Sequence, residues 1–266
     1  MYAAGGTTAD LISAIDQAVQ DEVDVLVLSI GPDARPPTKV TFLGMLDVAL
    51  LFARRAGVFV AQYGDFAMQP IPFSVPGIMV PRVADGQGEP QRSWTRRRLW
   101  HDTRRGGRTW SSTPADVLKP DVLAPGNQIW AAWSALSANE PMLAGDHFAM
   151  ISGSSMAAPH VGGVTALIKQ RHPSWGPSTI ASVLSTTALR HDNGGRPIMA
   201  EGFQLGMSQP ATPFDCGAGF INPTGAMDPG LVLESGFDDY ISFLCSLPQL
   251  GPTTSQEPPE RHASRR

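Results

Sequence analysis

Residues 23–30 read VDVLVLSI, eight positions that are almost all apolar and rich in β-branched side chains. A run of this length and kind forms a strand covered on both faces, as in a parallel sheet. Gly31-Pro32 ends it. Upstream, Thr7-Thr8-Ala9-Asp10 has the form of a capped helix start, and Leu11, Ile12, Ile15, Ala18 and Val19 share one helical face. Downstream, nearly every residue from Phe42 to Ala56 is apolar, which predicts a mostly buried helix. Gly57 closes that helix, and Val58-Phe59-Val60-Ala61 is the next strand. Strand, helix, strand in this order is a βαβ crossover, so the chain is expected to be α/β with a parallel sheet.

After residue 62 the pattern fails. Residues 63–90 are rich in Pro and Gly with no sustained period. Residues 92–108 hold seven Arg and one acid, Asp102, so this window carries +6 and leaves −10 for the remainder of a chain whose net charge is −4. Clustered like charges repel and do not pack, and a solvated, irregular insert is expected there. Trp94, Trp100 and Trp110 lie among the arginines and leave a base-stacking patch as the alternative. The net acidity argues against a dedicated nucleic-acid binder. Order resumes at Pro114, with a short strand expected between the prolines of 117–130, a Gly/Ser turn entering a helix over 152–169, and a further helix opening at Ser174-Trp175-Gly176-Pro177. The tail from Pro248 to Arg266 has four prolines and no aromatic residue, and disorder is expected.

The length of 266 residues and 42% hydrophobic content allow one or two domains with a sizeable core. No apolar run approaches the roughly 18 residues of a membrane span, and no secretory signal is visible at residues 1–6. Cys216 and Cys245 make either two buried free thiols or one bridge. No Cys/His group has zinc spacing, so neither metal nor cofactor is expected.

The segment that carries chemistry is ISGSSMAAPHVGG, 151–163. A turn of small residues delivers a hydroxyl at the start of an apolar helix. There unpaired N–H groups and the positive end of the helix dipole favour an oxyanion. From this pattern alone, Ser155 is either a nucleophile or simply an N-cap. It is not an α/β-hydrolase elbow, because 153–157 lacks the second glycine. His160 lies five residues, about 500°, along the helix and faces away from Ser155.

GSSMAAPHVGG resembles the serine motif of the subtilisin-like proteases, GTSMAxPHVxG, with Ser154 in place of the usual Thr. VLKPDVLAPG (117–126), HPSWGPSTIASVLSTTA (172–188), PFDCGAGFINP (213–223) and DPGLV (228–232) resemble flanking segments of the plant members. AIDQAVQDEVDVLVLSIG (14–31) and RAGVFVAQ (55–62) resemble upstream ones. The resemblance covers roughly 1–62 and 111–250. It implies a parallel sheet with helices on both faces, with the opening strands missing, and exposed sheet edges prone to aggregation. It implies 1–62 as the N-terminal part of the catalytic domain and 63–110 as an irregular insert. Residues 111–247 are then its C-terminal part and 248–266 a disordered tail. Ser155 becomes the nucleophile of a serine endopeptidase. Leu28, Ser29, Ile30 and Gly31 become the edge to which a peptide or protein substrate adds as a strand, with Gly153 and Ser154 beside them. The resemblance further implies an extracellular location; neither a nucleic-acid nor a membrane partner is expected from the charge and the apolar runs, and oligomeric state is left open.

The sequence departs from that pattern at the chemistry. Upstream of Ser155 stand only His101 and His147, neither in a GHGTH-like motif, and no D-[ST]-G precedes residue 31. The oxyanion Asn expected after the GVFV strand is replaced by Gln62-Tyr63-Gly64-Asp65. Residues 67–85 resemble the end of the family's inserted protease-associated domain, and the arginine-rich stretch resembles nothing in it. Three readings follow: an endopeptidase represented by an incomplete chain, a non-catalytic peptide-binding relative, or an unstable fragment of a gene.

Overall fold

The computed structural model describes residues 7–29, 45–63, 78–80, 82–83, 120–136, 143–201 and 208–246. The arginine-rich window, the tail, Ile30 and Gly31 lie outside the described residues.

Helix α1 (Thr8–Gln20) starts on the expected capping box. The Thr7 hydroxyl accepts from the Asp10 N–H at 3.2 Å, and the Asp10 carboxylate accepts from the Thr7 N–H at 2.7 Å. These bonds from Thr7 hold the Asp10 carboxyl below the usual carboxylate range. Strand β1 (Val25–Leu28), helix α2 (Met45–Arg55) and strand β2 (Phe59–Tyr63) then form the βαβ unit. The two strands are parallel, with Val25 opposite Phe59 and Leu28 opposite Gln62. Strand β3 (Ile78–Val80) adds to β2, also parallel, giving the order β1-β2-β3. So part of the Pro/Gly-rich stretch, which shows no periodicity in the sequence, is strand. Three residues are too few to show a period of two.

β2 shows why the sheet is covered on both sides. Phe59 and Ala61 point into a core shared with helices α3 (Ser154–Arg171) and α4 (Pro177–Thr186), through Ala157, Val161, Ile168, Ile180, Val183 and Leu184. Val58 and Val60, on the opposite face, pack with Ile15 of α1 and Leu50 and Ala53 of α2. The result is helix layer, sheet, helix layer. α3 rests directly on β1: a Cβ at Gly162 would lie 2.5 Å from Val27 Cγ2, so only glycine allows this approach. α2 is less buried than its composition predicts. Met45, Val48 and Phe52 are exposed while Leu50, Leu51 and Ala53 are buried, because an outer-layer helix has one face against the sheet and one facing out.

Strand β4 (Arg82–Val83) pairs in parallel with β5 (Ala124–Pro125). Strands β6 (Ile129–Ala132) and β7 (Phe148–Ile151) are antiparallel and lead into α3. β8 (Met199–Glu201) and β9 (Ser208–Pro210) are also antiparallel. Short helices α5 (Pro213–Cys216) and α6 (Pro223–Met227) precede α7 (Phe237–Ser246). Both cysteines are free; Cys216 is buried and Cys245 is exposed, so the expected pair of buried thiols is corrected for Cys245. The exposed thiol lies on α7, where only one helix face finds a partner. α7 docks on α2 through Arg54, whose guanidinium donates to Tyr240 Oη at 2.6 Å and lies 4.7 Å from that ring's centre.

Between α6 and α7, residues 231–235 lie along α4, held by hydroxyls one helical turn apart. Ser178 Oγ accepts from the Ser235 N–H at 3.3 Å, and Ser182 Oγ accepts from the Leu233 N–H at 2.7 Å. Thr186 Oγ1 donates to the Leu231 carbonyl at 2.9 Å. Leu231 and Leu233 themselves remain exposed.

Candidate active site

β7 passes through Ser152 and Gly153 into α3, so the strand-turn-helix delivery read from the sequence is present. The N-cap of α3 is Gly153, and no side chain caps it. Ser155 is the second residue of the helix, so the N-cap reading of Ser155 is corrected: its hydroxyl is not used on its own helix. A first-turn N–H has no intrahelical partner, and no acidic residue stands in the first turn of α3 to offset the positive dipole end.

The turn is fixed by contacts to the loop after β5. The Gly153 N–H donates to the Gly126 carbonyl at 2.7 Å. A Cβ at Gly126 would sit 2.7 Å from the Gly153 carbonyl oxygen, so this approach requires glycine. Ser152 Oγ accepts from the Gln128 N–H at 2.7 Å and donates to Asn127 Oδ1 at 3.1 Å. Gln128 is held at φ 51°, a left-handed conformation uncommon for a residue with a side chain.

Ser155 meets the end of β1 across 126 residues of sequence. Ser29 Oγ donates to the Ser155 carbonyl at 3.0 Å, and Ser155 Oγ donates to the Ser29 carbonyl at 3.5 Å. The first bond has a cause in the sequence. Pro159 lies inside α3, four residues after Ser155. A proline has no N–H, and its ring crowds the carbonyl four residues back. The Ser155 carbonyl therefore has no helical donor, and the Ser29 hydroxyl supplies one.

Of the residues singled out from the sequence, Ser155 and Ser29 are thus brought together and half-buried. Gly153 and Ser154 are buried, Ser154 at 3% exposure, so they frame the turn from below. Leu28 is buried among Ile15, Leu50 and Val60. Pro159 was missed as a site residue, although its spacing from Ser155 is visible in the sequence.

Two of the described histidines are engaged with backbone carbonyls rather than with Ser155. His160 Nδ1 lies 2.8 Å from the Met156 carbonyl; a carbonyl only accepts, so Nδ1 carries the proton. His172 Nε2 binds the Met227 carbonyl at 2.9 Å and its ring stacks on Trp175. Among the described residues no group of three His, Cys, Asp or Glu could hold a metal ion, and no helix is long and apolar enough to cross a membrane.

A model of the subtilase family matches residues 97–219. The match begins inside the arginine-rich window, a stretch for which the sequence reading found no likeness. The chain is 32% identical to subtilisin-like protease SBT2.4 of Arabidopsis thaliana, over 97% of this chain and 51% of that protein. It is 31% identical to SBT2.3 of the same plant, over 91% of this chain and 49% of that one. The chain therefore spans about half the length of these curated relatives. The alignment with SBT2.4 runs over 428 residues, longer than the chain itself, so the relative carries internal segments that have no counterpart here. Among solved structures, the prenylagaramide maturation protease PagA is similar with a TM-score of 0.52 and 20% identity, covering 86% of this chain and 69% of that one. Fervidolysin from Fervidobacterium pennivorans, a keratinolytic enzyme related to subtilisin, gives 0.51 and 18%, covering 86% of this chain and 30% of that one. These structural likenesses speak for the fold.

Proposed function

We propose that the chain, which matches the subtilase family model over 97–219 and is similar to plant subtilisin-like proteases, is the Ser155-bearing part of a subtilisin-like serine endopeptidase. The observation that carries this reading is the pairing of Ser155, second in α3, with Ser29 at the end of β1. It sets a hydroxyl at a helix start beside a strand edge along which a peptide can lie.

The chemistry is acyl transfer. Ser155 Oγ attacks the scissile carbonyl carbon and its proton passes to a general base. The tetrahedral oxyanion is met by first-turn N–H groups of α3. The C–N bond breaks, the amine leaves with the proton, and an ester on Ser155 remains. Water then adds to the ester and releases the acid. In this reading Ser155 is the nucleophile and α3 the helix start; its Oγ donates to the Ser29 carbonyl rather than to a base, and a serine hydroxyl without one is a weak nucleophile at neutral pH. For scale, loss of a triad member in subtilisin itself costs about 10⁴ to 10⁶ in turnover, a figure carried over from that enzyme.

A second reading is favoured by the same geometry. Ser155 Oγ is turned to a backbone carbonyl rather than to a histidine, and a peptide edge without a base is a binding module. An extracellular setting and a peptide or protein ligand follow from the family in either case. One experiment separates the readings: treat the purified chain with a fluorophosphonate probe, with Ser155→Ala as control, alongside a casein digest. Little or no labelling and no cleavage is expected of the isolated chain. Rapid Ser155-dependent labelling with casein cleavage shows that another residue supplies the base, with His147, eight residues upstream, the first to test.

A further inference from the structure

The chain has four asparagines, and only Asn193 is followed by glycine; Asn127, Asn139 and Asn222 precede Gln128, Glu140 and Pro223. An asparagine before glycine is chemically labile, because the next backbone nitrogen can attack the side-chain amide and glycine has no Cβ to obstruct it. Asn193 and Gly194 are both exposed. They lie in the loop 192–196, which closes a hairpin: the Asp192 N–H donates to the Arg196 carbonyl at 2.7 Å, and the Ile198 N–H to the Arg190 carbonyl at 3.1 Å. Ile198 in turn packs with Leu123 and Cys216. The loop is organised on one carboxylate. Asp192 Oδ1 accepts from the Gly194 N–H at 2.8 Å and from the Arg196 N–H at 2.9 Å. Asp192 Oδ2 accepts from Arg196 Nε at 3.0 Å and from a terminal nitrogen of the same guanidinium at 2.8 Å. The nitrogen that would attack Asn193 is thus one that this carboxylate holds.

We propose that Asn193 is a latent modification site, where the chain's own backbone converts the side-chain amide to an acid, and that Asp192 is the clamp that keeps it unreacted in the folded protein. In the reaction the Gly194 nitrogen loses its proton and bonds to Asn193 Cγ. The Cγ–Nδ2 bond breaks, and Nδ2 leaves as ammonia. Water then opens the five-membered imide at either carbonyl, giving aspartate or isoaspartate. The clamp opposes the first step in two ways. A hydrogen bond to a charged acceptor stabilises the protonated nitrogen. Attack also takes the nitrogen out of its peptide plane, whereas Oδ1 holds its hydrogen in line. Isoaspartate lengthens the main chain by one methylene and sets a second carboxylate beside Asp192, so its formation loosens the loop that closes the hairpin. The inference does not depend on the reactivity of Ser155, and its failure leaves that reading untouched.

The test incubates the full chain, its Asp192→Ala and Arg196→Ala variants, and a capped peptide with the sequence of residues 190–197 at pH 8 and 37 °C. Peptide mapping by mass spectrometry follows the amide-to-acid mass gain and the isoaspartate at residue 193. The folded parent is expected to react at least about tenfold more slowly than the peptide, the scale of one hydrogen bond to a charged acceptor. Asp192→Ala is expected to lose most of that protection while its circular dichroism stays that of the parent. Arg196→Ala leaves both bonds to Oδ1 in place and is expected to keep most of it. A parent that reacts as fast as the peptide overturns the proposal, and this comparison needs no variant to fold. An Asp192→Ala protein that reacts no faster than the parent overturns it as well. Equal acceleration by the two substitutions assigns the rate to loop mobility rather than to the bond on the Gly194 nitrogen, and also overturns it.

Discussion

Substitution of Ser29 by Ala removes the hydroxyl that donates to the Ser155 carbonyl at 3.0 Å. In an ordinary helix this carbonyl would keep its bond from the N–H four residues on. Here that position is Pro159, so in Ser29→Ala the carbonyl is left to whatever water reaches a half-buried site. A hydrogen bond of this kind contributes about 1 kcal/mol, and an acceptor left unsatisfied costs about 1–3 kcal/mol; partial solvent access places the expected loss at about 1–2 kcal/mol. Pro159→Ala restores the missing N–H. In that background Ser29→Ala is expected to cost only a few tenths, so the two substitutions couple by about 1 kcal/mol. The assay is a double-mutant cycle by urea unfolding, read by far-ultraviolet circular dichroism with the slope held constant across the four proteins. If Ser29→Ala costs the same with and without Pro159, the hydroxyl does not replace the helical donor and the reasoning fails. A zero cost in both backgrounds refutes it equally.

Gly162→Ala places a Cβ 2.5 Å from Val27 Cγ2; a loss of about 1–3 kcal/mol is expected as α3 is pushed off β1, and unchanged stability would mean that the two elements separate freely. Thr165 is fully buried and its hydroxyl has no hydrogen-bond partner. Thr165→Val is therefore expected to stabilise the chain by about 1 kcal/mol in the same unfolding assay. Burial raises the Cys216 thiol pKa, with Asp215 adding to the effect. Exposed Cys245 should therefore react first with iodoacetamide at pH 8, as peptide mass mapping would show. Because the folded pKa of Cys216 is raised, its contribution to stability is complete below the ordinary thiol value of about 8.5 and is lost as pH rises through the folded pKa; a melting temperature that rises with pH above 9 would contradict this.

The layers were legible where the sequence repeats a local rule many times. VDVLVLSI announces a parallel strand, although of β1 only Leu28 is buried and Val27 is exposed, and the Thr7–Asp10 box announces α1 to the residue. β3 was not legible, because three residues after a run of prolines carry no period. The exposure of Met45, Val48 and Phe52 was hidden for another reason: composition says a helix is apolar, but not which layer will cover it. At the site, the small-residue turn pointed to Ser155, yet whether Ser155 caps the helix is decided by whether residue 153 or 155 ends the turn. The Ser29 contact spans 126 residues, and no local pattern encodes it. Only its need was written locally, in the four-residue spacing from Ser155 to Pro159.

The clasp of residues 231–235 on α4 works by commensurability. Four residues of helix rise about 6.0 Å, and two residues of extended chain rise about 6.4–6.8 Å, so hydroxyls at 178, 182 and 186 stay in step with the backbone at 235, 233 and 231. The mismatch grows like that of a vernier and exceeds the tolerance of a hydrogen bond within a few more teeth, so the device is short by construction. It also divides information unevenly between its two halves. The helix must present a hydroxyl at every fourth residue, whereas the partner segment is met there through its peptide groups, with Glu234 alone adding a side chain, its carboxylate accepting from Thr179 Oγ1 at 3.2 Å. The exposed side chains of Leu231 and Leu233 take no part in these bonds and can change without loosening the grip.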